Sequence, residues 1–393
     1  MSIKLRRQFS LLRPPTPLIY FDSACSALKP ISVIKATIDY YENYPACAGR
    51  SLHRLASSVN AKISAARQTI ANFIGARADE IIFTKNTTES INLIAHSLSW
   101  QSGDVILTTD KEHNSNFLPW LALKNKGVKT VIISTVNGQI KFSLLSAALK
   151  THRSRLLTIS LTSNLDGLAL PAKKIINEAK KYNCLVLLDT AQTLLHSRLN
   201  VKTLGADFAA FSSSKICGPT GVGVLFIKNI KNLRPLLLGG GAVKSLTNEK
   251  VELLPGPAGF EAGTQNYAGI LGLAAAIDFL KTLNFKTIQT HETELKNLLQ
   301  FGLAKLPGVK LINPTPPRVH SSIVSFYVAG RDSHSLTIRL DQKYKILLRS
   351  GNFCNSYYFN KYRLPPALRV SLAFYNTASE IKTFLSALKS LLK

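Results

Sequence analysis

Lys215 follows Ser212, Ser213 and Ser214 and opens the Gly/Pro-rich stretch KICGPTGVG. A lysine beside hydroxyls at a strand-to-loop junction is either surface decoration or an amine desolvated enough to form a Schiff base with a carbonyl. Asp189 ends the apolar run LVLLD, with Gln192 three residues on. In that position an aspartate caps a helix or faces a ligand beyond the carboxyl end of a strand. In FTKNTTESINLIAHSL, Asn86, Thr87 and Thr88 lie between a strand and an amphipathic helix. Their hydroxyls and the first-turn amides suit an anion, and plain N-capping by Thr87 or Thr88 explains them equally well. Cys354 sits in RSGNFCNSYY, five residues after Arg349. It is either a small buried hydrophobe or a thiol activated by a neighbouring cation.

A Schiff-base lysine, a carboxylate for a ring nitrogen and a set of phosphate donors together are what pyridoxal phosphate requires. Ser212 and Ser214 add hydroxyls to that set from the lysine loop.

These residues need a scaffold, and the sequence supplies one. Seven short β-rich runs recur: EIIFT (80–84), DVILT (104–108), KTVIIS (129–134), LLTIS (156–160), LVLLD (185–189), FAAFS (208–212) and GVLFI (223–227). They are apolar on both faces, as parallel strands covered by helices are. Amphipathic helix-length segments such as LPAKKIINEAKKYN (170–183) separate most of them, which predicts a doubly wound α/β layer. The link from FAAFS to GVLFI is too short and glycine-rich for a helical crossover, so that last strand is expected to run antiparallel.

From about residue 281 the pattern changes to long helices, HETELKNLLQFGLAKL and SEIKTFLSALKSLLK, around the strands SSIVSFYV, YKILLR and LRVSLAFY. Ile381, Leu385, Leu388 and Leu392 follow helical spacing and are expected in a core. The expected organisation is an N-terminal arm over 1–20, a large cofactor-binding domain over 21–280 and a small C-terminal α/β domain over 281–393, consistent with a length that exceeds one core.

Composition narrows the function classes. Five cysteines, 25, 47, 184, 217 and 354, are odd in number and scattered, without metal-type spacing, which argues for reduced thiols in a cytoplasmic setting and no structural metal. No run approaches the ~20 apolar residues of a membrane span. The leader MSIKLRRQFSLLRPP is Arg-rich and acid-free like a transit peptide, but it lacks a signal-peptide core and is read as an arm. The formal charge of +27 comes from Lys and Arg spread along the whole chain. With no block of five like charges and no interleaved aromatics, it reads as a solvated basic surface and speaks against nucleic acid as a partner.

Nine segments in order, YFDSACSALKP, EIIFTKNTTESINLIAHSL, DKEHNSNFLPW, TSNLDGLALP, LLDTAQ, FSSSKICGPTGVGVLF, FEAGTQN, RSGNFC and RVSLAFYNT, resemble the pyridoxal-phosphate-dependent cysteine desulfurases, specifically the SUF-type branch of the class V aminotransferase superfamily. The resemblance runs from about residue 18 to the C-terminus. It implies the type I fold of pyridoxal-phosphate-dependent transferases, like aspartate aminotransferase. It further implies that Lys215 carries pyridoxal 5'-phosphate, that Asp189 holds the pyridine nitrogen protonated, and that Gln192 bonds the phenolic oxygen. By the same resemblance His113 stacks on the ring and shuttles protons, Thr88 and Ser212 bind phosphate, and Asn164 contacts cofactor and substrate. Arg369 grips the carboxylate of L-cysteine, with Arg349 near it. Cys354 is the nucleophile that takes the sulfur as a persulfide and passes it to an acceptor protein, for iron–sulfur clusters or other sulfur metabolism. Thr264 is supplied by the neighbouring subunit of a homodimer with shared sites. Arg349 and His113 are the expected positive neighbours of the Cys354 thiolate.

The chain departs from the family pattern at several points. Ser214 replaces the histidine before the lysine, and Asn352, Phe353 and Asn355 replace the family residues around the cysteine. The HRG segment appears as Gly49-Arg50-Ser51, keeping Arg50 and His53. Two other readings stay open at this level. One is a class V aminotransferase, selenocysteine lyase or other carbon–sulfur lyase in which Cys354 is incidental. The other is a basic, noncatalytic interaction protein on a degenerate version of the fold.

Overall fold

A computed structural model describes residues 3–14, 18–231 and 233–393; residues 1, 2 and 15–17 of the expected arm, and residue 232, lie outside the described residues. The seven apolar runs all form strands of one sheet: β1 (Ile81–Thr84), β2 (Val105–Thr109), β3 (Lys129–Ile133), β4 (Ser154–Ser160), β5 (Leu185–Asp189), β6 (Phe208–Ser212) and β7 (Gly223–Ile227). Their order across the sheet is β1-β7-β6-β5-β4-β2-β3. The pairings among β3, β2, β4, β5 and β6 are parallel, and β7 is antiparallel to both β6 and β1, as its tight connection requires.

Both faces of the sheet are covered, which explains the absence of a polar alternation. Along β4 and β5, Leu157, Ile159, Val186 and Leu188 join one core. Leu156 and Leu187, pointing the other way, join a second core with Trp120. The first core is roofed by Tyr267–Lys281, which packs on Ile31–Asn43 and Arg54–Ile74. Phe9 is anchored there too, fully buried against Phe279, Phe374 and Tyr375.

A four-stranded antiparallel sheet forms toward the C-terminus from β8 (Val309–Ile312), β9 (Ile323–Val328), β10 (Arg349–Gly351) and β11 (Ala367–Ser371), in the order β8-β9-β11-β10. Phe285–Ala304, Ser333–Tyr344 and Ala378–Leu392 supply its helices. The run YKILLR divides: Ile346–Leu347 pairs in parallel with Ile19–Tyr20, and only from Arg349 does the chain join β10. Phe21 follows that early pair into the C-terminal core. In the last helix the buried stripe is Ile381, Phe384, Leu388 and Leu391, and the expected Leu385 and Leu392 are half-buried. Both stripes have helical spacing; the aromatic ring of Phe384, packed on Phe21 and Phe326, decides which one faces inward.

Candidate active site

The carboxyl ends of β4, β5 and β6 and the segment after β1 open on one cavity of about 250 Å³. Its lining contains Thr88, His113, Asn164, Asp189, Gln192, Ser212, Ser214, Lys215, Arg349, Cys354 and Arg369. Of the residues expected to act together only Thr264 lies elsewhere, bordering a second cavity with Asn86 and Glu261, its hydroxyl 3.4 Å from Arg50. A doubly wound sheet collects ligand-binding side chains at this edge because strands leave it through loops whose polar groups face a common crevice.

One wall is the start of the helix Thr87–Ser97. Its N-cap is Asn86, whose side chain accepts from Glu89 N at 2.9 Å, so neither Thr87 nor Thr88 is the cap. Both threonines therefore stand in the first turn, where amides and hydroxyls are placed to receive an anion. Thr87 Oγ1 lies 2.7 Å from Ser212 Oγ, and Thr88 Oγ1 lies 2.8 Å from Ser115 Oγ. Gly223, the first residue of β7, is what lets this turn sit against the sheet: a Cβ there would lie 2.5 Å from the Asn86 Cα.

The floor holds the titratable groups. Lys215 Nζ donates to the carbonyls of Ala24 (2.8 Å) and Cys25 (2.6 Å), and burial lowers its pKa to about 8. Burial pushes Asp189 up to about 7, although Ala191 N donates to it at 3.0 Å. Gln192 Nε2 donates to Ala24 O at 2.8 Å. Burial, reinforced by the charges of Lys215, Arg369 and Arg349, drops His113 to about 4. His113 is therefore neutral near pH 7, which corrects the expectation that it is a cation beside the thiol; three cations already in the same pocket make a fourth charge costly. Glu112 next to it is fully enclosed and bonded by Thr109 Oγ1, Asn116 Nδ2 and both the amide and hydroxyl of Ser160, a cluster that fixes the histidine loop.

Cys354 sits in a turn in which Phe353 (φ 54°) and Cys354 (φ 58°) are both left-handed. Non-glycine residues there cost about 1 kcal/mol each or more, so the surroundings must hold the turn. The Phe353 carbonyl accepts from Asn164 Nδ2 at 2.8 Å, the Cys354 carbonyl from Asn114 N at 2.7 Å, and Asn355 Nδ2 donates to Lys111 O at 3.0 Å. Phe353 itself is buried with Leu165, Ile312, Tyr358 and Phe359. The turn is thus pinned at three consecutive residues, with the thiol half-exposed toward the cavity. Arg349 places its Nη2 3.9 Å from the Cys354 sulfur.

Arg369, on β11, is almost fully buried and donates to Asn164 O at 3.0 Å and Asp22 at 3.4 Å; its Nε has no acceptor among the described residues.

A model of the family described as Aminotransferase class-V matches residues 19–384. The chain belongs to this family. A cysteine desulfurase of Yersinia pseudotuberculosis is 35% identical over 99% of this chain and 98% of its own length. The apo structure of the cysteine desulfurase from Thermococcus onnurineus superposes with a TM-score of 0.94 at 34% identity, covering 100% of this chain and 98% of that one. The Escherichia coli cysteine desulfurase in its S-sulfonic acid form gives 0.90 at 31% identity, covering 99% and 98%. The type I transferase fold that the motifs implied is the fold of this chain.

Some residues of the site carry no signal in the sequence. Glu112 and Ser160 left no signal, because their value lies in a cluster assembled from two segments distant in sequence. Arg50 and His53, kept from the family motif, do not reach the cavity: His53 caps the helix Arg54–Ile74, and Arg50 bonds Gly240 O at 3.0 Å. Cys184 and Cys217 are buried, each with its pKa raised to about 12 by desolvation, and behave as core.

Proposed function

We propose that this protein is a pyridoxal-phosphate-dependent cysteine desulfurase that converts L-cysteine to L-alanine and leaves the sulfur as a persulfide on Cys354. The carrying observation is that the Cys354 thiol, on a turn held at three points, lines the same cavity as Lys215 and the buried Arg369.

The residues fit pyridoxal 5'-phosphate. The first turn after Asn86, with Thr88, Ser212 and Ser214, offers amides and hydroxyls to a phosphate. Asp189, pushed toward protonation by its dry site, is suited to a cationic ring nitrogen that restores its charge. Gln192 serves the phenolic oxygen, and neutral His113 the ring face. When bound, the cofactor supplies an electron sink that makes the substrate α-proton acidic.

The chain's own groups do the rest. Arg369 binds the substrate carboxylate, with its unpaired Nε and a guanidinium already oriented by Asn164 O. Lys215, its pKa lowered to about 8, holds the cofactor and moves the proton at the substrate Cα. Cys354 attacks the substrate sulfur from its fixed turn, and the Arg349 guanidinium faces its sulfur at 3.9 Å.

Thr264 completes the phosphate site of a second copy in a homodimer with shared sites. Its exposed position next to Arg50 supports this, as do the exposed Leu52, Leu237 and Leu238 in the two segments joined by the Arg50–Gly240 bond. The motif resemblance supports a reading in the SUF-type branch, with sulfur delivered to a carrier protein for iron–sulfur clusters or related sulfur metabolism, and the odd, scattered cysteines support a cytoplasmic setting. Incubation with L-cysteine and a reductant, assaying alanine and sulfide together, is expected to give both in equal amounts, and Cys354→Ser is expected to abolish persulfide formation. Wild-type sulfide release by that variant would instead support a carbon–sulfur lyase in which Cys354 is incidental.

A further inference from the structure

Cys25 lies on the short segment after Tyr20, 324 residues before Arg349, and yet its sulfur accepts a hydrogen bond from Arg349 Nη1 at 3.1 Å. The other terminal nitrogen of the same guanidinium, Nη2, is 3.9 Å from the Cys354 sulfur. One planar cation therefore touches two thiols. The backbone at Cys25 is held in place, with its amide bonded to Asp22 O at 3.0 Å and its carbonyl accepting Lys215 Nζ at 2.6 Å. Cys25 is half-exposed, whereas Cys184 and Cys217 are sealed in the core. Nothing in the proposed reaction uses this second thiol.

We infer that Cys25 is a second sulfur-carrying residue, which takes the outer sulfur from the Cys354 persulfide and frees Cys354 for another turnover. The inference rests on the reading of Cys354 as the persulfide-bearing residue. The step is a thiol exchange: Cys25 as thiolate attacks the outer sulfur, a Cys25–sulfur bond forms, the bond between Cys354 and that sulfur breaks, and Cys354 leaves as thiolate. The proton on the transferred sulfur travels with it, and the negative charge passes from one cysteine to the other. The oxidation level is exchanged between the two cysteines, so no external oxidant is needed. Arg349 faces both sulfurs and so counters the charge before and after transfer. An outer sulfur also extends about 2 Å beyond Cys354, a typical S–S length, which shortens the gap that the exchange must cross.

The test is a burst experiment on the cofactor-loaded enzyme, anaerobic and without added thiol, quenched within the first turnovers on L-cysteine. Alanine is counted per active site, and alkylated peptides are mapped by mass spectrometry. The expected result is about two alanines per site, with an extra sulfur on both the Cys25 and the Cys354 peptides. Cys25→Ser, or Cys25→Ala should the serine variant fold poorly, is expected to yield about one alanine, with the sulfur on Cys354 alone. One alanine per site in the wild type, two in the Cys25 variant, or no sulfur on the Cys25 peptide overturns the inference while sulfur on Cys354 leaves the desulfurase reading intact. Alanine and sulfide formed at the wild-type rate by Cys354→Ser would overturn both.

Discussion

The guanidinium of Arg369 lies over the ring of Phe353, 5.2 Å from its centre, so the residue before the candidate nucleophile is also the platform for the candidate carboxylate-binding group. The contact couples two parts of the site through one side chain. Phe353→Ala removes the platform and empties a buried position. It is expected to raise KM for L-cysteine about tenfold, in line with a desolvated cation–π contact, and to cost about 3 kcal/mol of stability as a core Phe truncation. Steady-state kinetics with urea unfolding checks both.

How much of this arrangement could be read before the fold was known varied with how local each signal was. The seven strands and the reversed β7 follow from runs of apolar residues and one short glycine-rich link, all within a few residues of each other. Lys215 and Asp189 were legible for a related reason, since Asp189 ends a strand, Lys215 follows one by three residues, and the edge of such a sheet collects ligands. The neutral state of His113 was not legible, because it depends on burial and on the charges of Lys215, Arg369 and Arg349, all supplied by distant parts of the chain. The same holds for the pairing of Cys25 with Arg349, and for Phe384 rather than Leu385 facing the core. Position in a helix gives a face, but only the opposing surface decides which of two adjacent stripes is buried.

Asn355 occupies a fully buried site and spends its amide on the carbonyl of Lys111. Asn355→Ala leaves that carbonyl unpaired, which is expected to cost about 1–2 kcal/mol. It should also loosen the Cys354 turn. Hydrogen exchange at the Cys354 and Asn355 amides is expected to quicken in the variant, with the strands of the central sheet unchanged.

Lys111 and Asp166 form an ion pair at 3.0 Å with both side chains nearly inaccessible. Lys111→Met leaves the carboxylate buried with, among the described residues, only Asn313 Nδ2 and Leu168 N as donors. The expected loss is about 3–5 kcal/mol. Adding Asp166→Leu should recover part of it, because the unpaired charge is then gone. Urea unfolding of the two single variants and the double variant measures this coupling.

His113 titrates at about 4 in the folded chain against an ordinary 6.5. Between those values the unfolded chain holds a proton that the folded chain does not, so folding stability falls as pH drops through this window and is unaffected by the group above it. His113→Gln removes that contribution. Urea midpoints of the cofactor-free protein at pH 7.5 and pH 5.0 are therefore expected to differ less in the variant than in the wild type.

Gly223 joins the lysine loop to the phosphate-type turn without contributing a side chain. A Cβ at this position would meet three backbone atoms of Asn86 at 2.5 to 2.7 Å, and backbone cannot swing aside as a flexible side chain can. Gly223→Ala must therefore push the first turn of Thr87–Ser97 away from β7, disturbing the Thr87–Ser212 bonds at 2.7 and 2.8 Å. The overpacking should cost about 1–3 kcal/mol. Because the displaced turn carries Thr88, cofactor affinity should fall more than tenfold while Lys215 stays in place. Titration of cofactor-free protein with pyridoxal phosphate, followed by visible absorbance, reads that affinity directly. An unchanged affinity together with an unchanged melting temperature would show that the turn does not need this close approach.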